Sequence, residues 1–265
     1  MKLIRLTLVG LIVAAVAVPS SALANSSAPV RVPAGASEVR PLGLSFDSGS
    51  NRLVEGYAIV HYRKGGAQGG AKGGGQAKPA RTQCYGFLAK DAKWKSVEPW
   101  VVNPSNTSGL DGGFVASNLT ADIAKWESAA GANILGDGTV TADVLAADTA
   151  SPDNVNEVYF AAIDEPGAIA VTIVWGIFSG PTFQRELVEW DQIYDDVDYG
   201  WSDSGAAGAM DFENIATHEL GHSVGLGDLY TSACASETMY GYASFGETQK
   251  RDLHTGDIAG IAKLY

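Results

Sequence analysis

His218-Glu219-Leu220-Gly221-His222-Ser223-Val224-Gly225-Leu226-Gly227-Asp228 is the stretch on which the reading of this chain turns. The segment 212–224 carries the spacing of a helix, and on a helix residues i and i+4 share one face. His218 and His222 therefore aim their imidazoles at one point. Glu219 projects beside them, close enough to take a proton from a water at that point. Gly225 lets the chain leave the helix with a positive φ, and the turn brings Asp228 back as a third ligand. Two imidazoles, one carboxylate and an open position suit Zn²⁺. The chain has only 4 histidines, and chance assembly of His-Glu-x-x-His with Gly and Asp at these offsets is on the order of 1 in 50,000. The plainer alternative is an amphipathic helix with two histidines on its polar face.

Around this stretch the composition is that of a folded protein. In 265 residues, 46% are hydrophobic and 18% charged, which excludes wholesale disorder. The formal charge of −12, from 18 basic against 30 acidic residues, offers no basic excess for tracking phosphates, so no nucleic-acid partner is expected. Two cysteines, Cys84 and Cys234, exclude a disulfide-dense miniature fold and a four-cysteine zinc cluster.

Residues 1–24 read as a signal peptide. Lys2 and Arg5 precede a mostly apolar run at 6–18, Pro19 breaks it, and Ala22-Leu23-Ala24 fits a cleavage site. As a helix that run rises about 20 Å, short of a bilayer core of about 30 Å, although an uncleaved anchor is the competing reading. A secreted protein without stable membrane insertion is expected. Residues 25–63 hold one strand, at 53–62, and read as a pro-segment too small for its own core. Residues 64–81 follow as a flexible linker, with Gly65, Gly66, Gly69, Gly70, Gly73, Gly74 and Gly75 among Lys, Gln and Ala. Its exposed Lys64, Lys72, Lys78 and Arg81 suit proteolytic nicking.

Residues 82–265 carry the pattern of a single α/β-type unit. Residues 97–102, 158–163 and 168–175 are β-rich runs bounded by turn residues. Val115, Leu119, Ile123 and Trp126 recur at helical spacing over 114–130, and a last helix is expected from Thr255, as N-cap, through Ile258, Ile261 and Leu264.

These motifs resemble the metzincin zinc proteases, whose pattern is His-Glu-x-x-His-x-x-Gly-x-x-His or Asp, and within that clan the matrixins. Glu237-Thr238-Met239-Tyr240-Gly241 resembles the family's Met-turn, which implies Met239 beneath the metal. Leu253 with Asp257-Ile258-Ala259-Gly260-Ile261 and Leu264-Tyr265 resembles its closing helix, and no accessory domain is expected beyond it. Phe87-Leu88 and the segment 93–103 resemble its first strand. The likeness spans roughly residues 84–265, strongest in the C-terminal third. It implies an α+β fold, with a mixed twisted sheet and about three helices, preceded by the pro-segment and the Gly-rich linker. It also implies a zinc endopeptidase acting on protein or peptide substrates, with Glu219 as general base, His218, His222 and Asp228 as metal ligands, and an edge strand within 168–175 to hold extended substrate. Two features depart from the matrixin pattern. Asp228 stands where most matrixins have His, as in snapalysin-like members, and residues 25–63 lack the cysteine with which the family's pro-segment blocks zinc.

Several residues carry competing readings. Met239 is otherwise core filler, and Tyr242 either assists an oxyanion or is an ordinary tyrosine. His61 and His254 have no ligand-spaced neighbours and read as ordinary. Asp191, Asp195, Asp196 and Asp198 form either a structural Ca²⁺ site or a solvated turn. Asn25, Asn106 and Asn118 begin glycosylation sequons. Cys84 and Cys234 form a disulfide, or Cys84 blocks the metal, or both remain thiols. A monomer is expected. Two rival functions remain: a zinc protease of another clan with Glu237 or Glu247 as third ligand, and a non-catalytic zinc-binding or adhesion module.

Overall fold

The apolar runs are short and continuous, a pattern that belongs to strands covered on both faces. In the computed structural model, which describes residues 28–35, 37–65 and 83–265, they become such strands. The strands are β1 (Val39–Asp47), β2 (Arg52–Arg63), β3 (Gly86–Phe87), β4 (Glu98–Asn103), β5 (Leu135–Val140), β6 (Asn156–Ala161), β7 (Ala168–Ile177), β8 (Glu186–Asp195), β9 (Trp201–Ser202), β10 (Met210–Asp211), β11 (Leu226–Gly227) and β12 (Tyr242–Ala243). The helices are α1 (Gly112–Ala130), α2 (Phe212–Ser223) and α3 (Thr255–Leu264), besides three short 3₁₀ turns. The expected signal peptide and most of the linker lie outside the described residues.

The main sheet runs β1-β2-β7-β8-β6-β4-β5, with β12 beside β2. β5, β4, β6 and β8 are mutually parallel, β7 is antiparallel to both β8 and β2, β1 is antiparallel to β2, and β12 is parallel to β2. The fold is α+β, with a mixed sheet and, among the described residues, three α-helices. One face of the sheet packs Val102, Val158, Phe160, Trp190 and Ile59 against α1 and α2. The other carries Val60, Tyr159, Val171, Ile173, Trp175 and Ile193. Strand side chains alternate between faces, so Phe160 and Tyr159 enter different cores.

Local chemistry sets the helix ends. Asp111 accepts from Phe114 N at the start of α1, and Gly131, at φ 67°, ends it. Asp211 caps α2 through Asn214 N, and Trp126 of α1 donates its indole N–H to Thr217 O, docking the two helices. α3 is capped one residue earlier than expected: His254, not Thr255, is the N-cap, and its N–H bonds the Asp257 carboxylate. No helix among the described residues is long and apolar enough to cross a membrane.

Three elements differ from expectation. The strand expected at 53–62 is one arm of a hairpin, and it lies inside the sheet, with Ile59 and Val60 buried. β7, expected as the substrate-holding edge, has β2 along that edge. β8 was not expected as a strand, because Glu186, Glu189, Asp191, Gln192 and Asp195 break its apolar pattern, yet all five are buried.

Candidate metal centre and active site

α2 lies under the sheet with every residue from Asn214 to Ser223 buried, so its polar side chains must find partners. Nδ1 of His218 donates to Thr238 O at 2.7 Å and Nδ1 of His222 donates to Leu226 O at 3.0 Å. A carbonyl can only accept, which fixes each ring with Nδ1 protonated and Nε2 turned the other way. Gly225, at φ 103°, turns the chain back so that Asp228 follows. Its Oδ1 stands 3.2 Å from His218 Nε2 and 3.5 Å from His222 Nε2.

Among the described residues none of these three atoms has a well-formed hydrogen bond, although all are buried. Tetrahedral ligands at about 2.05 Å from one zinc lie about 3.3 Å apart, which is the spacing found. The residues present therefore fit a zinc ion. Burial pushes the His218 imidazole down to about 4. Burial also opposes the charged form of His222, but the Asp228 carboxylate outweighs it and raises that ring to about 9. The two histidines in turn hold Asp228 well below the usual carboxylate range despite its burial.

Glu219, one residue on from His218, has both oxygens engaged. Thr172 donates its hydroxyl to Oε2 at 2.6 Å, and His61 Nδ1 lies 2.9 Å from Oε1. Burial raises this carboxyl to about 7. The His61 ring lies 3.9 Å, centroid to centroid, from that of His218. Behind it, Lys250 Nζ stands 3.3 Å from His61 Nε2 and donates to Tyr242 O at 2.7 Å. A lysine donor on Nε2 leaves the proton on Nδ1, so His61 donates to Glu219. Burial, reinforced by His218 and Lys250, holds the His61 ring well below its ordinary value and keeps it neutral.

Residues 157–265 match the sequence profile of the family described as Matrixin. This segment is similar to the matrixin metalloprotease domain. Matrilysin of Rattus norvegicus is 43% identical over 70 residues, 26% of this chain and 25% of that protein. Matrilysin of Homo sapiens is 41% identical over 70 residues, with the same coverage. Metalloendoproteinase 1-MMP of Arabidopsis thaliana is 46% identical over 57 residues, 22% of this chain and 15% of that protein. The matched stretches thus span about a quarter or less of the length of these curated relatives. The matrixin match begins within β6, so the hairpin that carries His61 lies outside it.

Within the matrixin segment, Met239 is buried beneath α2, and a Cβ at Gly221 would sit 2.1 Å from its sulfur. Only glycine permits that approach. Asp257 holds the turn by accepting from Thr238 N and Met239 N. Of the rival third ligands, Glu237 accepts from Gly256 N at the start of α3, and Glu247 accepts from Ser244 N. Tyr242 sits in β12 beside β2, its ring against Tyr230 and Tyr240. His254 caps α3. Cys84 and Cys234 form a disulfide, and no free cysteine occurs among the described residues.

The acidic run does not gather at one point. Asp195 accepts from Val197 N and Asp198 N, Asp196 accepts from Thr107 N, and Asp191 accepts from Asp148 N on the opposite side of the molecule from α2. Asn106 and Asn118 are buried, which removes two of the three sequons from the surface, while Asn25 lies outside the described residues. Sequence reasoning missed His61, Thr172 and Lys250. Their one signal was the scarcity of histidine, since strand periodicity carries no mark of what a side chain meets across a sheet.

Proposed function

We propose that this chain is a secreted zinc-dependent endopeptidase held in a covered form by its own residues 39–63. The reading rests on one observation above all: three unpartnered donor atoms, His218 Nε2, His222 Nε2 and Asp228 Oδ1, converge beside the Glu219 carboxylate.

When bound, zinc supplies Lewis acidity to a water and to the scissile carbonyl. His218 and His222 serve as neutral donors because each Nδ1–H is committed to a carbonyl. Asp228 adds the anionic donor, steadied by the Tyr230 hydroxyl at 3.0 Å. Glu219 takes the proton of the attacking water and delivers it to the leaving amine nitrogen. Thr172 fixes Oε2, which leaves Oε1 to carry the proton. Met239 supports the floor of the site. Extended substrate pairs with the β7 edge, opposite β12.

β2 occupies that place in the covered form, antiparallel to β7 and parallel to β12, and His61 occupies Glu219 Oε1. Cutting within 64–81 and release of the hairpin would free both, giving a mature N-terminus between Lys64 and Cys84. We assign the leader to residues 1–24, the covering segment to 25–63, and peptides or proteins as substrates of a monomer.

Peptide-library cleavage by the linker-cut protein tests this, with E219A and metal analysis alongside. Hydrolysis abolished by a chelator and restored by zinc is expected, as is a rise in turnover of the uncut chain on H61A substitution. Stoichiometric zinc with no hydrolysis after release of the hairpin would instead identify a binding module.

A further inference from the structure

His61 fills a slot between β7 and β12. It pairs with Ala170 of β7, and one residue on, Tyr62 pairs with Tyr242 of β12. Side chains alternate along β2: Ile59 enters the core against α2, Val60 and Tyr62 enter the other, and His61 follows Ile59. Its ring is thereby delivered beside α2, with the His218 imidazole 3.9 Å away on one flank. The two ring nitrogens face opposite charges. Nδ1 lies 2.9 Å from Glu219 Oε1, and Nε2 lies 3.3 Å from Lys250 Nζ.

Lys250 closes the far end of the slot. It is 1% exposed, and its backbone N–H donates to Asn214 Oδ1 at 2.7 Å, tying the 249–251 turn to α2. An ammonium carries three N–H donors. One reaches Tyr242 O at 2.7 Å, and a second meets His61. The nearest carboxylate oxygen among the described residues, Glu247 Oε1, stands 4.0 Å away, while Oε2 of that group accepts from Ser244 N. Burial lowers Lys250 to about 8, with Glu247, Asp228 and Glu219 pulling the other way, so it is charged at neutral pH. A buried ammonium is costly unless its hydrogens meet acceptors. In the covered form His61 supplies one. When the hairpin leaves, the residue that takes the place of His61 has to supply it.

Side-chain chemistry then ranks the candidates. An extended glutamate reaches about as far from its Cα as the imidazole Nε2 does, and its charge strengthens the bond to Nζ. Glutamine reaches as far without the charge. Leucine fills the space and leaves Nζ with a single acceptor, and lysine sets ammonium against ammonium. Glu219 stands at the other end of the ring, so a carboxylate at the Nε2 end meets Lys250 first. A slot built around a polar group discriminates strongly against side chains that leave that group unpaired.

We propose that Lys250 is a specificity-determining residue: the slot vacated by His61 takes a substrate glutamate flanking the cleaved bond, with its carboxylate on Lys250 Nζ. The inference rests on the peptidase reading, in which Glu219 at the edge of the slot moves the proton and β2 marks the path of the substrate.

Cleavage sites in a mixed peptide library are mapped with the zinc-loaded chain nicked within 64–81. Glutamate should be enriched at one fixed position flanking the cut bond, at least about tenfold over glutamine, more over leucine, with lysine disfavoured most. K250Q keeps a donor for Tyr242 O but loses the charge, and its preference for glutamate over glutamine should vanish. Should K250Q fail to fold, the profile of the unaltered chain still decides. The uncut chain gives a readout without hydrolysis: H61E and H61Q are compared by thermal midpoint, each with Lys250 and with K250Q. The midpoint of H61E relative to H61Q should fall by at least about 2 °C when K250Q is added. Equal cleavage at glutamate and leucine, or a glutamate preference that survives K250Q, would overturn the proposal. If no peptide is cut, the peptidase reading fails by itself, and the midpoint comparison decides whether the slot pairs a carboxylate with Lys250; an unchanged difference overturns that pairing.

Discussion

Two clusters of polar side chains lie on opposite faces of one sheet, and they were assembled in different ways. His218, His222 and Asp228 come from a single stretch of α2 and the turn that follows. Asp148, Asp153 and Glu189 come from a connection and a strand far apart in sequence. The first has two imidazoles turned inward by backbone carbonyls, and the second has only carboxylates. Helical periodicity writes a site into consecutive residues, whereas a site made by strand pairing leaves no local trace. The chemistry diverges with the side chains: mixed N/O donors suit zinc, whereas the carboxylates crowd like charge and are pushed towards protonation.

The strongest test of this division is E219A. It should lower peptide hydrolysis by about 10² to 10⁴ with zinc content unchanged, because only proton transfer is removed. Near-normal hydrolysis at equal zinc content would end the general-base assignment.

Removing the disulfide comes next, with C84S and C234S together. The bond closes a separation of 150 residues on the triad's side of the molecule, and its loss should cost up to about 5 kcal/mol in the chain-entropy account. Denaturant unfolding measures this. An unaltered midpoint would show that the rest of the fold already restrains that loop.

D228A sharpens the contrast directly. Zinc affinity, followed by competition with a chromophoric chelator, should fall at least about tenfold. Unchanged affinity would transfer the ligand role to another residue.

The smallest effect is on pH dependence. Glu157 and Glu189 have folded values raised above their ordinary 4.5, to about 7 and about 10, and the groups facing them, Asp148, Asp153 and Asp191, are all acidic. A raised carboxyl favours the folded state when protonated, so the protein should lose stability as pH rises from about 4.5, up to about 7 through Glu157 and on towards about 10 through Glu189. Thermal midpoints from pH 5 to about 9 measure it, and a midpoint that does not fall over that range would break the assignment.

Much of the fold was legible where periodicity and burial agree. α1, α2 and the β6 and β7 runs begin and end within a few residues of the expected positions, since their apolar spacing matches the face they bury. β8 was not legible. Its Glu189 and Asp191 look like loop residues until the 141–155 connection supplies them with N–H donors. His61 was read as ordinary because nothing near it in sequence binds a metal, and its partners Glu219 and Lys250 lie 158 and 189 residues away.

The sequence by itself determined the His218–Glu219–His222 constellation, the return of the chain at Gly225 towards Asp228, and the periods of α1, α2, β6 and β7. Each depends on interactions within a turn or two of helix, or on the two-residue period of a strand, and such short-range geometry is set by covalent structure and backbone sterics. Only the tertiary structure decided that β2 lies along β7, that His61 sits on the Glu219 carboxylate, and that Asp148 and Asp153 meet Glu189 of β8. Those contacts arise from which strand edges pair and which charges are left buried together. That choice is made by the packing of the whole sheet, and no local pattern records it.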